Sequence, residues 1–256
     1  MGKVISITNQ KGGVAKTTTA IELSTGLARQ YKNKKILLID LDSQCNATGV
    51  ILNRTKVPRE ETVFSVFQAK KPESIQIKET HLANLSMIAS TLELVEVESL
   101  LLNAIDGFFR LRDALENVKK EFECIIIDCP PSLSVITINA MVAADYLIIP
   151  LQASKFSIDG IQSIVDSVST IKKRYNPNLK IMGGVFTMFD KRTSLSQAMI
   201  PEIKKRLPLL ETIIPKSVVV EEAHLLKKDL YDYSPSHKVT QAYRDLCREA
   251  ASAIGF

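Results

Sequence analysis

A segment near the N-terminus, residues 9–18, has the residue types of a phosphate-binding loop. It reads Asn-Gln-Lys-Gly-Gly-Val-Ala-Lys-Thr-Thr and lies between a mostly apolar run, residues 4–7, and a helix-like run that begins at Thr19. In such a strand–loop–helix unit, backbone N–H groups and the positive end of the helix dipole bind phosphate oxygens. Lys16 would reach the β- and γ-phosphates, and the Thr17 hydroxyl would hold Mg²⁺. The segment therefore predicts nucleotide chemistry.

This loop differs from the general pattern G-x-x-x-x-G-K-[ST], because Gln10 and Ala15 occupy the two glycine positions. It resembles instead K-G-G-x-G-K-[ST]-[ST], the deviant Walker A loop of the ParA/MinD class of P-loop ATPases. By that resemblance Lys11 reaches across a dimer interface to the partner's nucleotide, and Lys11 and Lys16 are both catalytic. The nucleotide-binding residues that the resemblance implies are Lys11, Gly12, Gly13, Val14, Ala15, Lys16, Thr17 and Thr18.

Ala15 is a departure from the family pattern, which has glycine at this place. A Cβ atom is tolerated there if the dihedral angle φ is negative, and is costly if the loop needs a left-handed conformation. We expect nucleotide binding to survive, because a methyl group is small and the essential donors are backbone groups. Hydrolysis or closure of the dimer is where an effect is expected, and comparison of Ala15→Gly with the wild type tests this.

Acidic residues follow two other predicted strands. Residues 35–39 lead into Asp40-Leu41-Asp42-Ser43-Gln44, and residues 124–127 lead into Asp128-Cys129-Pro130-Pro131. Open α/β sheets bind their ligands at the carboxyl ends of the strands. These carboxylates are therefore expected beside the phosphate-binding loop.

Both acidic segments also resemble ParA sequences. The first is similar to D-x-D-P-Q, with Ser43 in place of proline, and implies that Asp40 orients the attacking water or helps to arrange Mg²⁺. The second is similar to the Walker B form D-x-P-P and implies that Asp128 binds Mg²⁺ through water, opposite Thr17. The expected metal-site residues are thus Thr17, Asp40 and Asp128, with ATP as the nucleotide and water as the acceptor.

Apolar runs without alternation recur between helical patterns along the whole chain. Such runs are typical of a parallel sheet covered on both faces, and their alternation with helices indicates βαβ units. The predicted strands are residues 4–7, 35–39, 124–127, 146–149 and 181–187, with weaker candidates at 85–89 and 209–213. The predicted helices are Thr19–Tyr31, Phe108–Phe122, Ile136–Ala144, Ser157–Tyr175, Ser194–Leu207 and Thr240–Ile254.

These elements predict an α/β fold: a single P-loop domain, residues 1–256, with a mostly parallel, twisted central sheet covered by helices on both faces. Residues of about 53–84 are less regular and are expected to form an insertion with short helices near 63–67. No apolar run approaches the roughly 20 residues of a membrane span. The four cysteines, Cys45, Cys124, Cys129 and Cys247, show no C-x-x-C spacing, so we expect a reduced, cytoplasmic chain.

The resemblance covers essentially the whole chain, and it is strongest to short, Soj-type ParA proteins. It implies an ATP-bound homodimer that binds nonspecific double-stranded DNA and partitions a chromosome or plasmid. A ParB-like protein would stimulate hydrolysis, which is slow without it, and the chain would be associated with the nucleoid. In relatives the segment after the sixth or seventh strand packs on the adenine. Here that segment contains Pro215 and Ser217, the latter in place of a common asparagine.

Charge is distributed unevenly along the chain. Residues 1–154 contain 17 Lys+Arg and 17 Asp+Glu, whereas residues 155–256 contain 16 and 11, which accounts for the net charge of +5. This basic C-terminal part suggests a surface for a polyanion. By resemblance, Arg192 matches one DNA-binding arginine of Soj-type proteins, and Val219 stands where a second is found. The remaining candidate DNA contacts are Lys191, Lys204, Lys205, Arg206, Lys216, Lys227 and Lys228.

Two alternative functions remain open at this point. A MinD-like membrane-positioning ATPase would need a basic amphipathic C-terminal helix. The chain instead ends in small, weakly basic residues, 248–256. An ATP-dependent DNA or partner binder with little hydrolysis would be favoured if Ala15 and Ser43 had abolished turnover. The retained Lys11, Lys16, Asp40 and Asp128 argue against that alternative.

Overall fold

The computed structural model describes residues 1–54, 56–68, 75–152, 158–190 and 200–256, and its centre is one eight-stranded sheet. The strand order is β3-β4-β2-β5-β1-β6-β7-β8, and every neighbouring pair is parallel except β3 and β4. The strands are β1 (Lys3–Ile7), β2 (Ile36–Asp40), β3 (Lys78–Glu79), β4 (Leu85–Ile88), β5 (Cys124–Asp128), β6 (Tyr146–Leu151), β7 (Lys180–Phe189) and β8 (Leu209–Pro215).

Helices follow most of the strands, as the βαβ pattern predicts. They are α1 (Lys16–Gln30), α2 (Asn46–Ile51), α3 (Val63–Gln68), α4 (Val97–Leu102), α5 (Arg110–Val118), α6 (Val135–Ala143), α7 (Ile158–Arg174), α8 (200–204), α9 (Val219–Leu225), α10 (Leu230–Tyr233) and α11 (Lys238–Ile254). Two 3₁₀ segments, Arg59–Glu61 and Leu92–Glu96, precede α3 and α4. The short helix expected near residues 63–67 is confirmed as α3.

The central strands are mostly apolar because both faces of the sheet are covered. Val4 of β1 belongs to a core shared with α3 to α7, whereas Ile5 and Ile7 belong to a core shared with α1, α2 and α9 to α11. Burial of these side chains from water is the main favourable term for the fold. The predicted α/β class, with a mostly parallel sheet and helices on both faces, is confirmed.

The middle of the sheet aligns three strand ends at one edge. Ile7 of β1 and Asp40 of β2 both lie in register with Asp128 of β5. The chain leaves β1 at Ile7 and enters α1 at Lys16, so the predicted phosphate-binding loop spans this edge. The sheet therefore places the loop and both acidic segments together.

The two outer strands are covered in different ways. At one edge, β3 contributes only Lys78 and Glu79, paired antiparallel with β4. At the other edge, Glu249 of α11 accepts hydrogen bonds from the backbone N–H groups of Glu211 (2.7 Å) and Thr212 (3.2 Å) in β8. These N–H groups of the edge strand thus donate to a carboxylate of α11 and are not available to another strand.

Candidate functional site

The loop between β1 and α1 is held by its own hydrogen bonds. Lys16 Nζ donates to the carbonyl oxygen of Lys11 at 2.8 Å, and the Lys11 N–H donates to Asn9 Oδ1 at 3.0 Å. Thr187 Oγ1 of β7 donates to the Val14 carbonyl at 3.0 Å. Lys16 is 94% buried, and burial lowers the pKa of its ammonium group although the charge of Asp128 acts in the opposite direction. The loop is therefore a closed turn with a buried cation at its centre.

Ala15, the residue before α1, has a left-handed backbone conformation, with φ 63° and ψ 36°. Its carbonyl accepts hydrogen bonds from Thr19 N (2.9 Å) and Thr19 Oγ1 (2.7 Å), which fix the first turn of the helix. Gly13 also has a positive φ, 65°. An L-residue with a Cβ atom is strained in this region. Ala15 therefore has the left-handed conformation in which its methyl group is costly, and not the conformation with negative φ in which it would be tolerated.

Asp128 has the character of a cation ligand. It is fully buried at the end of β5, and neither carboxylate oxygen has a hydrogen-bond partner among the described residues. Burial, followed by the charge of Asp40, raises the pKa of Asp128 well above its usual range, while Thr17 and Lys16 act to lower it. Two buried oxygens without partners fit Mg²⁺, a cation that takes oxygen ligands. The Thr17 hydroxyl is close enough to this carboxylate to lower the pKa of Asp128, although it does not meet the strict geometry of a hydrogen bond.

Asp40, by contrast, has its hydrogen-bonding capacity occupied. Its Oδ1 accepts from the Asp42 N–H at 3.0 Å, and its Oδ2 accepts from Thr48 N (2.9 Å) and Thr48 Oγ1 (2.7 Å). Burial raises the pKa of Asp40 to about 6, although the bonds from Thr48 lower it. Such a carboxylate holds the β2–α2 turn in shape and is poorly placed to bind water or a metal ion.

Asp42 is a functional candidate that the sequence reasoning did not single out. Its Oδ1 accepts from the Gln44 N–H at 3.0 Å, and its charge acts on Lys16. Unlike Asp40 it is slightly exposed, at 8%. The geometry thus favours the second aspartate of the Asp-Leu-Asp segment as the carboxylate that faces the nucleotide. The available signal was the pair itself, because two aspartates at the carboxyl end of one strand are both placed to meet a ligand there.

A cavity of about 370 Å³ adjoins the phosphate-binding loop. Its wall includes Gly13, Ala15 and Thr18 from the loop side. Pro215 and Ser217, the residues expected at the adenine, form part of the opposite wall together with His224 of α9. A pocket that joins a phosphate loop to an apolar wall has the shape needed for a nucleotide base and ribose.

Comparison with known proteins agrees with this geometry. A family model described as "AAA domain" matches residues 2–181. The chain is 40% identical over 254 residues to the sporulation initiation inhibitor protein Soj of Bacillus subtilis (strain 168), covering 98% of this chain and 99% of that protein. It is 38% identical over 255 residues to the chromosome partitioning protein ParA of Caulobacter vibrioides (strain NA1000 / CB15N), covering 98% and 94%. The chain belongs to the ParA/Soj family of P-loop ATPases.

Solved structures resemble this ParA/Soj chain over nearly its full length. Cobyrinic acid a,c-diamide synthase from Mycobacterium smegmatis, with bound ATP analogue and magnesium, is 29% identical, with a TM-score of 0.81 and coverage of 97% of this chain and 93% of that one. The cell division ATPase MinD of Pyrococcus furiosus is 24% identical, with a TM-score of 0.77 and coverage of 99% and 100%. The likeness to MinD shows a shared fold and carries no conclusion about function.

The basic residues expected to contact DNA lie at several places on the ParA/Soj fold. Lys191 and Arg192 lie outside the described residues. Lys204 and Lys205 are exposed at the end of α8, and Lys205 pairs with Glu202 at 2.6 Å. Arg206 is also exposed and bonds to Gln162, Lys216 is exposed after β8, and Lys227 and Lys228 follow α9 beside a separate cavity of about 520 Å³. Their role stays a prediction.

The membrane alternative can be compared with the helices of this ParA/Soj chain. Within the described ranges, none of them combines the length and apolar character needed to cross a bilayer. The last helix, α11, instead packs its apolar face into the core through Tyr243, Leu246 and Cys247.

Proposed function

We propose that this chain is a Mg²⁺-dependent partition ATPase that is switched between a DNA-bound and a free state by ATP. In this proposal ATP closes a homodimer, the dimer binds double-stranded DNA nonspecifically at the nucleoid, and a ParB-like protein stimulates hydrolysis and release. The observation that carries the proposal is the juxtaposition of Lys16 and Thr17 with the two unpartnered oxygens of buried Asp128. ATP and Mg²⁺ supply the phosphates and the cation that this arrangement fits.

The residues of the chain would divide the work of phosphoryl transfer among them. Backbone N–H groups of the loop and Lys16 bind the phosphates, and a phosphate oxygen takes the place of the Lys11 carbonyl as acceptor for Lys16 Nζ. Thr17 and Asp128 hold Mg²⁺, which neutralises charge on the transferred group when bound. Asp42 orients the attacking water, and Asp40 keeps the turn that carries Asp42 in shape. Lys11 acts on the nucleotide of the partner subunit.

DNA binding in this proposal uses lysines and arginines of the C-terminal part of the chain. Contacts between such residues and phosphates release counterions, so affinity falls steeply with salt and carries little sequence information. Because Val219 stands at one position where relatives have arginine, Lys216 and the basic residues around α8 and α9 must supply the remaining contacts.

The test is double-stranded DNA binding as a function of salt, measured without nucleotide, with ADP and with ATP plus Mg²⁺. We expect salt-sensitive binding only with ATP plus Mg²⁺, and its loss in the Lys16→Ala variant. The same samples analysed by sedimentation report whether the dimer forms only with ATP. No DNA binding in any nucleotide state would overturn the partition proposal and favour a MinD-like positioning ATPase.

A further inference from the structure

A buried carboxylate lies behind the base pocket. Glu22 of α1 is completely buried, two turns along the helix from Lys16, and both of its carboxylate oxygens accept from the Leu230 N–H at 3.1–3.2 Å. Its Oε1 lies 3.6 Å from Nε2 of His224. The same helix that carries the phosphate-binding lysine at its start therefore supports an imidazole on α9.

The ring of His224 has one buried edge and one edge toward the base pocket. Its Nε2 is buried, has no hydrogen-bond partner among the described residues, and lies 3.6 Å from Oε1 of Glu22, within ion-pair distance of that carboxylate. The side chain as a whole is 23% exposed, and it lines the cavity of about 370 Å³ that contains Ala15, Thr18 and Ser217. The accessible part of the ring is therefore the part away from Glu22.

The carboxylate selects the tautomer of this histidine. A neutral imidazole has one N–H donor and one acceptor nitrogen, and the hydrogen bond made by one nitrogen decides the state of the other. With Nε2–H directed at the ionised Glu22, Nδ1 keeps its lone pair. Because Nε2 is buried and His224 lines the cavity, Nδ1 is the ring nitrogen left to accept a hydrogen bond from a ligand there.

We propose that Glu22 and His224 select the base of the bound nucleotide, with His224 as the contact residue and Glu22 as the positioning residue. An acceptor at Nδ1 favours a base that offers an amino donor, as adenine does, over one that offers a carbonyl oxygen, as hypoxanthine or guanine does. This inference rests on the proposed function, because it requires nucleotide phosphates in the loop of residues 9–18.

The pair also gives base selection a pH dependence. Burial raises the pKa of Glu22 to about 7. The titratable groups that face Glu22 are His224 from α9 and Asp229 before α10, while the nearby Tyr231, Tyr243 and Cys247 are neutral because burial raises the pKa of each. Below about pH 7 Glu22 takes up a proton, and its carboxyl group then donates to Nε2 of His224. In that arrangement the ring hydrogen resides on Nδ1, and the acceptor facing the pocket is lost.

The test compares the binding of ATP and of inosine triphosphate, which differ at the amino and carbonyl positions of the base. Dissociation constants are measured by calorimetry at pH 8 with Mg²⁺ for the wild type and His224→Leu. We expect the wild type to prefer ATP by about tenfold, since a hydrogen-bonded donor is replaced by an opposed acceptor. His224→Leu should reduce the preference to within about twofold. An equal preference in both proteins would refute the role of His224.

Glu22→Gln keeps the shape of the buried side chain and removes its titration. The wild-type preference for ATP should fall several-fold between pH 8 and pH 6, whereas the Glu22→Gln variant should show a flat profile. The same pH slope in both proteins would refute the role of Glu22. Melting curves of each variant establish that it is folded.

Two controls separate this inference from the proposed function. Lys16→Ala should bind neither triphosphate, which ties both affinities to the phosphate loop. A wild type that binds neither triphosphate would contradict the proposed function itself. A wild type that binds both equally well, with loss in Lys16→Ala, would contradict the base selection alone.

Discussion

The left-handed conformation of Ala15 predicts that glycine at this position makes the protein more stable. An alanine at φ 63° and ψ 36° costs about 1–2 kcal/mol relative to a residue without a Cβ atom. Glycine also gives the unfolded chain more backbone freedom, which lowers the stability of the folded state by about 0.4–1 kcal/mol and offsets part of the relieved strain. The net gain for Ala15→Gly is thus about 0.5–1 kcal/mol. For a chain of this length it corresponds to a rise in Tm of about 2 °C.

The assay is thermal and urea unfolding of the nucleotide-free protein, with a matched control in α11. Ala242→Gly makes the same chemical change within a helix and should destabilise the protein by about 1 kcal/mol. Gly13→Ala, at φ 65°, should also destabilise it, by about the strain that Ala15→Gly relieves. If Ala15→Gly lowers Tm in the same way as Ala242→Gly, the left-handed assignment and the strain argument are both wrong.

Three further predictions concern charged residues. Asp128→Asn should raise Tm relative to the wild type by an amount that grows from pH 4 to pH 8. The folded protein has a raised pKa at Asp128, so ionisation of this group becomes destabilising once the pH exceeds the pKa of an ordinary carboxyl. A difference in Tm that does not depend on pH would contradict this. Asp40→Ala should lower the free energy of unfolding by about 3 kcal/mol, because three donors lose their acceptor. Asp42→Ala should leave Tm within a few degrees and abolish phosphate release. The reverse pattern would show that Asp40 is the catalytic residue. Arg29→Met should cost about 3 kcal/mol because it removes the guanidinium paired with the buried Asp229 carboxylate, which then keeps only His81 and the Asp232 N–H as partners among the described residues. Adding Asp229→Asn should recover part of that loss, and no recovery would show that the pair is not the cause.

Most strands were predictable because they are short apolar runs, and the central ones are buried on both faces. All seven predicted strands are present, including the weaker candidates at 85–89 and 209–213. Within the part of the chain that the structure describes, β3 is the one strand that was not predicted, because no local pattern of the sequence encodes the antiparallel pairing of its two charged residues with β4. The helix predicted at 108–122 is shorter in the structure, where α5 spans Arg110–Val118. Of the helix predicted at 194–207, residues 194–199 lie outside the described residues.

The short helices were harder to predict from the sequence. α9 and α10 together span 219–233, where the buried apolar residues are Ala223, Leu230 and Tyr231, too few and too widely spaced to mark two helices in the sequence. These two helices nevertheless carry His224 and the Leu230 N–H that contact Glu22. The conformation of Ala15 and the choice between Asp40 and Asp42 likewise depend on backbone angles and hydrogen bonds formed only in the folded chain.

The protection of both sheet edges limits how copies of this chain can associate. A free edge strand recruits a strand from another molecule and is a route to fibrils and aggregates. Here β3 offers two charged residues, and the outer N–H groups of Glu211 and Thr212 in β8 are already bonded to Glu249. Continuous sheets across subunits are thus disfavoured. Copies of this chain can therefore be held at high local density with little risk of irreversible strand exchange.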